Sequence, residues 1–203
     1  MLFRSYADLE SVLMHDGLQD AFTGESMGNT CETVASEYEI SREQSDAFAI
    51  RSHALSNKAW EEGWLDDEVF PVGNLTRDEG IRPGSDMETL GSLRTVFRED
   101  GQVTAGNSSQ VSDGASAVLI ASEEAASELG LPVLARIVGY ATSGVESHRV
   151  MSAPIPTVRK LLEQTGRTMD DVDILEHNEA FAAASCAIQT SLGVSEDRFN
   201  PHG

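Results

Sequence analysis

The strongest constraint on the fold is an alternation of strand-like and helix-like segments from Gln102 onward. Strands are predicted at 103–105, 115–121, 133–140 and 172–175, the third of them buried. Helices are predicted between them, one capped by Ser122 and one over 157–164 with Pro156 in its first turn. This alternation is typical of an α/β fold in which helices cover a mainly parallel sheet and the crossovers are right-handed.

The first half of the chain is instead helical and rich in loops. Residues at three- and four-residue steps form an apolar stripe that predicts a packed helix: Met27, Cys31, Val34, Ala35 and Tyr38. Ser41-Arg42-Glu43-Gln44 is a capping-box sequence and predicts a second, long helix that ends near Gly63. The residues expected to face inward from this helix are Phe48, Ala54, Leu55 and Ala59.

Composition indicates a globular and strongly acidic protein. The 203 residues are 40% hydrophobic, and 34 acidic residues face 14 basic ones, of which only Lys58 and Lys160 are lysines. A net charge of −20 repels phosphate backbones and anionic lipid, so neither nucleic acid nor a membrane is expected as a partner. Dispersed carboxylates with so little lysine favour a halophilic protein kept soluble in concentrated salt, with an acidic mesophilic protein as the alternative.

Targeting and metal-binding signals are not found. The sequence has no run of about 18 apolar residues, and its start turns acidic where a signal peptide needs an apolar block, so a cytoplasmic location is expected. Cys31 and Cys186 have no metal-ligand or redox spacing, and the histidines are not paired along a helix. We therefore expect neither a disulfide nor a metal site.

Asn178 stands where the 172–175 strand runs into an alanine-rich helix, and two interpretations are open. Asn178 caps the helix, with Glu179 interacting with the helix dipole. Alternatively, its amide polarises a substrate oxygen, directly or through a water, at the carboxyl end of a strand. A separate hypothesis, an unrelated small α/β enzyme using Glu176, His177 and Glu179, fits poorly because adjacent strand residues point in alternating directions.

A second cluster, Val-Thr-Ala-Gly-Asn-Ser-Ser at 103–109, has small residues after a predicted strand. Such residues permit a ligand to approach the backbone closely, although they also suit a tight connection. The cluster is no phosphate-binding P-loop, because the glycine spacing and the lysine are missing.

Together these motifs resemble the thiolase family. The resemblance rests on Asn-Glu-Ala-Phe-Ala at 178–182, Val-Thr-Ala-Gly-Asn-Ser-Ser at 103–109, and Asp-Gly-Leu, Asp-Ala-Phe and Met-Gly within 16–28, in matching order and spacing. It continues through Ile-Ser-Arg-Glu-Gln at 40–44 and Ala-Pro-Ile-Pro at 153–156 to Asn-Pro-His-Gly at 200–203. It implies a partial thiolase fold of αβαβα layers with a helical, loop-rich inserted domain.

The resemblance also implies a division of the chain into three parts. Residues 1–101 would form most of the loop domain, 102–133 the closing segment of the N-terminal half, and 134–203 the beginning of the C-terminal half. The family's acylated cysteine and catalytic histidine would lie outside this chain, so an internal-to-C-terminal fragment that is inactive alone is expected.

The activity implied by the resemblance is that of a thiolase-type acyltransferase in fatty acid metabolism. Its substrates would be acyl-CoA and 3-ketoacyl-CoA thioesters, in thiolytic cleavage or Claisen condensation. Coenzyme A would be substrate or product, no cofactor would be held permanently, and the complete enzyme would be a homodimer or homotetramer. The alternative is a non-catalytic remnant, or a protein that binds coenzyme A or a partner.

The site residues implied by the resemblance begin with Asn178, which would hold the water of an oxyanion hole for the thioester carbonyl. Phe181 would flank the same pocket. The positions that match the acyl-pantetheine tunnel are Leu18, Met27, Phe97, Ala105 and Ser109, and those near the nucleotide end of coenzyme A are Arg82 and Thr89. These residues have structural alternatives as well, namely core packing for Leu18, Met27 and Phe97, a solvated turn for Arg82 and Thr89, and a loop hydrogen bond for Ser109.

The sequence departs from the family pattern at two positions. Ser26 stands where the family often has histidine, and Gln110 where it usually has glycine. A serine can still hydrogen-bond to pantetheine, but Gln110 needs a backbone conformation that accepts a Cβ.

Overall fold

One alanine-rich helix lies at the centre of the computed structural model, which describes residues 11–203. The α-helices of this part of the chain are α1 (Met27–Glu37), α2 (Arg42–Glu61), α3 (Met87–Gly91), α4 (Glu123–Glu128), α5 (Pro154–Thr165) and α6 (Ala182–Leu192). Shorter helical turns are a π-helix at Leu13–Gly17 and 3-10 helices at Ser147–Ser152 and Met169–Asp171.

The central helix is α6, which packs against α1, α2 and α5. Its small side chains let the neighbouring helices approach closely, and two apolar clusters form around it. The first consists of Cys31, Val34, Ala35, Ile40, Val103, Phe181, Ala183, Ala184 and Ala187. The second consists of Phe48, Ala49, Leu90, Ile155, Ala182, Ile188, Leu192, Val194 and Phe199.

The helix predicted from the apolar stripe is α1, and it buries Cys31, Val34 and Ala35. Tyr38, in contrast, ends the helix as its C-cap and is exposed, so its predicted inward position is wrong. A stripe at helical spacing stops facing the core where the helix stops, because the chain then changes direction.

The capping box at Ser41 is confirmed. The Ser41 hydroxyl accepts from the Gln44 amide at 3.2 Å, and the Gln44 side chain accepts from the Ser41 amide at 2.8 Å. Helix α2 then runs to Glu61, and Gly63 follows at a φ of +72°, in the left-handed region that favours glycine. Phe48 and Ala59 point inward as predicted, whereas Ala54 is exposed.

The helices of the second half are also close to their predicted positions. Ser122 caps α4 by accepting from the Ala125 amide at 3.1 Å. Helix α5 begins at Pro154, three residues earlier than predicted, so Pro156 lies in its first turn. It ends at Gly166, which adopts the left-handed conformation at a φ of 65°.

The predicted strands at 115–121 and 133–140 are not formed in the described part of the chain. Their apolar side chains are exposed, including Val118 at 84% and Leu134 at 98%. A strand is stable only where a second backbone pairs with it and another layer covers its apolar face, and no backbone within 11–203 pairs with either segment. The prediction of a strand at 115–121 and of a buried strand at 133–140 is therefore wrong for these residues taken alone.

The other two predicted strands are reduced to single bridges. Leu175 bridges Phe199 in parallel orientation, with its amide 2.8 Å from the Arg198 carbonyl oxygen. Thr104 bridges Thr95 in antiparallel orientation. Both bridges hold loops against the helical core rather than starting a sheet.

No helix between residues 11 and 203 combines the length and the hydropathy that crossing a membrane requires.

Candidate functional site

A cavity of about 660 Å³ lies between α2, α3, the loop at 104–110 and the turn at 176–179. The predicted site residues that line it are Arg82, Thr89, Ala105, Ser109 and Asn178. They come from separate stretches of the sequence, and folding brings them to one surface.

The remaining predicted site residues lie elsewhere. Phe97 packs edge-on against Phe181, with ring centroids 6.1 Å apart, and Met27 packs on the same apolar cluster. Leu18 is half-buried, and its carbonyl oxygen accepts from the Met27 amide at 2.9 Å. Met27 also lines a second cavity, of about 560 Å³. Met27, Phe97 and Phe181 therefore belong to an apolar region beside α6, and Leu18 is joined to it through the main chain of Met27. None of the four lines the 660 Å³ cavity.

A backbone connection joins this apolar region to the cavity. Ser108 bridges Phe181, and the Ser109 amide donates to the Ala180 carbonyl oxygen at 2.9 Å. The wall that carries Ser109 and the turn that carries Asn178 are consequently held together.

Asn178 does not cap the helix that follows it. Helix α6 begins at Ala182, and its N-cap is Phe181, which provides no side-chain bond. The main-chain oxygen of Asn178 instead accepts from the Ala180 amide at 2.9 Å, and the side chain is exposed on the cavity lining. The capping interpretation is therefore wrong, and the amide is available to a ligand.

Glu179 holds the turn at 176–179 in place. Its carboxylate accepts from the Ser52 hydroxyl at 2.5 Å and from the Asn200 side chain at 2.6 Å. Asn200 in turn exchanges two bonds with the main chain of His177, at 2.7 and 2.8 Å. Glu179 was expected to interact with the helix dipole. Its carboxylate instead links α2, this turn and the segment near Asn200 through hydrogen bonds.

His177 is fixed in the same way. Its ring stacks on Phe199 at 6.1 Å between centroids, and its Nδ1 lies 3.2 Å from the Ser185 hydroxyl. Burial lowers the pKa of His177, and the charge of Glu179 opposes this shift. Glu176, His177 and Glu179 all line the cavity, because 176–179 is irregular and not a strand. Structural bonds nevertheless engage both His177 and Glu179, so the separate α/β-enzyme hypothesis gains no free acid–base pair.

Sequence reasoning missed the face of α2 that lines the cavity. Phe48, Ala49, Ser52, His53 and Ser56 lie on this face at helical spacing. The available signal was the continuation of an apolar stripe by serine and histidine, a pattern that indicates a polar cavity next to a core.

His53 connects that face to Arg82. Its Nδ1 accepts from the Arg82 amide at 3.2 Å, an arrangement that requires an unprotonated Nδ1. Burial lowers the pKa of His53, and Arg82 lowers it further, while Glu179 opposes both. The loop that carries Arg82 is thus held by a neutral histidine.

Neither cysteine has the properties of a thiolate nucleophile. Burial raises the pKa of Cys31 to about 12 and that of Cys186 to about 11. Both are free thiols, and neither lines the cavity. Within 11–203, no group of three or more His, Cys, Asp or Glu residues could hold a metal ion.

Two family models match this chain. The thiolase N-terminal domain matches residues 4–124, and the thiolase C-terminal domain matches residues 131–203. Among curated relatives, the acetyl-CoA acetyltransferase of Shinella zoogloeoides is 42% identical over 199 residues, which cover 94% of this chain and 51% of the relative. That of Pseudomonas aeruginosa is 41% identical over 207 residues, covering 98% and 53%.

Solved structures give the same result. The crystal structure of the Bacillus anthracis acetyl-CoA acetyltransferase superposes with a TM-score of 0.89 at 37% identity, covering 100% of this chain and 55% of that one. Human mitochondrial 3-ketoacyl-CoA thiolase in complex with CoA has a TM-score of 0.89 at 37% identity, covering 93% and 49%. The chain spans about half the length of the curated relatives it matches. These superpositions confirm the partial thiolase fold, and the chain belongs to the thiolase family.

Proposed function

We propose that this chain contributes the coenzyme A-binding wall and one carbonyl-polarising amide to a thiolase-type acyltransferase. The observation that carries the proposal is the 660 Å³ cavity, which collects Arg82, Thr89, Ala105, Ser109 and Asn178. The substrates would be acyl-CoA and 3-ketoacyl-CoA thioesters, with coenzyme A as substrate or product and no permanently held cofactor.

Each of these residues would have a role in binding or catalysis that follows from its side chain. Arg82 places a cation at the cavity, where a phosphate group of coenzyme A would meet it. The small side chains of Ala105 and Ser109 leave room for the thin pantetheine arm. Asn178 would orient a water against the thioester oxygen, which gains negative charge in the transition state.

The nucleophile would come from residues of the complete enzyme outside this chain. A cysteine whose pKa is near 11 or 12 has almost no thiolate at pH 7, so neither Cys31 nor Cys186 can accept an acyl group. The exposed segments at 115–121 and 133–140 fit the same proposal, because strands from the rest of the enzyme would pair with them and cover them. By the same proposal, 1–101, 102–133 and 134–203 are the loop domain, the end of the N-terminal half and the start of the C-terminal half.

The high cysteine pKa values also favour a second candidate, a protein that binds coenzyme A or a partner without turnover. Both candidates predict binding of coenzyme A, and only the first predicts catalysis once the fold is complete. For the complete enzyme we further propose a cytoplasmic location, a homodimer or homotetramer, and adaptation to high salt.

Coenzyme A titrated into the chain in a calorimeter tests the binding wall. Arg82→Ala should weaken binding by about tenfold or more, because a charge-assisted hydrogen bond is worth roughly 1.5–3 kcal/mol. Arg136→Ala is the matched control, since Arg136 pairs with Glu123 away from the cavity and its loss changes the net charge equally. Equal affinities for the two variants would count against the cavity as the binding site.

A chimaera tests catalysis. In it, the 203 residues of this chain replace the matching segment of the Shinella zoogloeoides acetyl-CoA acetyltransferase. Thiolysis of acetoacetyl-CoA is then measured. Turnover should appear in the chimaera and be absent from the chain alone. Asn178→Ala should lower it roughly a hundredfold, or on the order of 3 kcal/mol. A folded chimaera that binds coenzyme A without turnover would favour the second candidate.

A further inference from the structure

A buried carboxylate behind the cavity takes no part in the proposed chemistry. Asp46 lies on α2 with its side chain 1% exposed, and it does not line the cavity. One carboxylate oxygen accepts from the Asn107 side chain at 2.8 Å and the other from Arg42 Nε at 2.7 Å. A buried charge is tolerated only when it is paired and hydrogen-bonded, so both contacts are required.

Arg42, the first partner of Asp46, contacts the part of the cavity wall that carries Thr89. We call its contacts the Arg42 arm and those of Asn107, the second partner, the Asn107 arm. Arg42 Nη2 donates to the carbonyl oxygens of Leu90 at 2.6 Å and Leu93 at 3.1 Å. These carbonyls belong to the end of α3 and the residues after it, so this arm holds α3 against α2.

The Asn107 arm reaches the other two walls. The side-chain oxygen of Asn107 accepts from the Thr104 amide at 2.8 Å, which closes the loop that presents Ala105 and Ser109. Its main-chain oxygen accepts from the Ala182 amide at 3.0 Å, at the start of α6 and four residues after Asn178. Asn107 thus ties the loop to the turn of Asn178.

We propose that Asp46 is a positioning residue that keeps three parts of the cavity wall in fixed relative positions. These parts are α3, the 104–109 loop and the start of α6. Asp46 acts through Arg42 and Asn107 and touches no ligand. The part of this inference that concerns coenzyme A rests on the proposed function, whereas the part that concerns the walls does not.

Hydrogen–deuterium exchange in the full chain tests the arms separately. In Asp46→Asn, Arg42 loses its charge partner, and the single carboxamide oxygen can accept from only one of Arg42 and Asn107. Amides at 89–93 and 104–109 should both exchange at least about tenfold faster. Arg42→Ala should accelerate 89–93 alone. Asn107→Ala removes the side-chain bonds to Thr104 and Asp46 but keeps the main-chain bond to Ala182. It should therefore accelerate 104–109 and leave 89–93 unchanged, and α5 should stay unchanged in every variant.

Glu32→Gln is the matched control. Glu32 is also a buried carboxylate, 5% exposed, and it accepts from the amides of Gln102 and Val103 but bonds to neither Arg42 nor Asn107. The Asn107 side chain donates to the Gln102 carbonyl oxygen at 3.1 Å, so exchange at 89–93 is the readout that separates the two variants. Glu32→Gln should accelerate exchange near 102–103 and leave 89–93 unchanged. If Asp46→Asn does not fold, the two single-arm variants decide the question.

Affinity for coenzyme A provides a second readout on the folded variants. Asp46→Asn should weaken it by about tenfold and Glu32→Gln by no more than about twofold. A wild-type chain that binds no coenzyme A would refute the proposed function, while the exchange pattern would still decide the role of Asp46. Acceleration spread evenly over α5 as well, or equal to that of Glu32→Gln, would overturn the positioning role.

Discussion

Asn178 has an exposed side-chain amide at the cavity, whereas Ser41, Asp86 and Ser122 each use a side-chain oxygen to cap a helix. The difference follows from where the helices begin. Helix α6 starts at Ala182, three residues beyond the position that capping by Asn178 requires, so the polar group of Asn178 is not needed for folding.

Asn178→Ala should therefore leave the free energy of unfolding of the chain within about 0.5 kcal/mol of wild type. Ser41→Ala should lower it by about 1 kcal/mol, because it removes one half of the capping box of α2. Urea denaturation followed by circular dichroism measures both. A loss in Asn178→Ala as large as that in Ser41→Ala would show that the amide has a structural role.

The two cysteines should resist alkylation in the folded chain. With pKa values near 12 and 11, Cys31 and Cys186 carry on the order of a thousandth or less of thiolate at pH 8. Labelling by iodoacetamide should be at least about a hundredfold slower than in the same chain unfolded in urea. Rapid labelling of either cysteine under native conditions would restore it as a possible nucleophile.

At the scale of elements, the helices form from local signals while the predicted strands do not form. Caps, glycine stops and apolar stripes act within one segment, so the stripe of α1, the two ends of α2 and the cap of α4 are predicted correctly apart from Tyr38. The segments at 115–121 and 133–140 have strand-like sequences, but a strand requires a partner backbone that the residues 11–203 do not supply.

Substitutions in the exposed 133–140 segment and in the packed helices should differ in their effect on the free energy of unfolding. Leu134→Ser should change the free energy of unfolding by less than about 0.5 kcal/mol, because Leu134 is almost fully exposed. Ile155→Ala should lower it by about 2–5 kcal/mol, because Ile155 is 3% exposed in the cluster beneath α6. Denaturation midpoints measure both. A large loss from Leu134→Ser would show that the 133–140 segment is packed in solution.

For the whole molecule, the dominant property is charge. A net charge of −20 on 203 residues stores self-repulsion that unfolding relieves, and dissolved salt screens it. The ion pairs of the described residues lie mostly at the surface, as between Arg149 and Glu37, and they offset little of this repulsion.

The melting temperature of the chain should therefore rise as potassium chloride is increased from 0.1 M to molar concentrations. Screening should account for most of the rise below about 1 M, where the Debye length falls to about 3 Å. Differential scanning fluorimetry across the salt series measures it, with sucrose as a control for solutes that stabilise without screening. A melting temperature that does not respond to salt would contradict the proposed adaptation.

The sequence by itself determined the helices α1, α2, α4 and α5, the caps at Ser41 and Ser122, the acidic surface and the resemblance that led to the thiolase family. These follow from local hydrogen bonds, composition and short ordered motifs. Only the tertiary structure decided that Arg82, Thr89, Ala105, Ser109 and Asn178 share one cavity, while Phe97 and Phe181 pack in the apolar core. It alone also showed the hydrogen bonds that join Glu179 to Ser52 and Asn200 and that join Asp46 to Asn107, because these partners lie far apart in sequence. Contacts of that range depend on how helices pack, which no local pattern records.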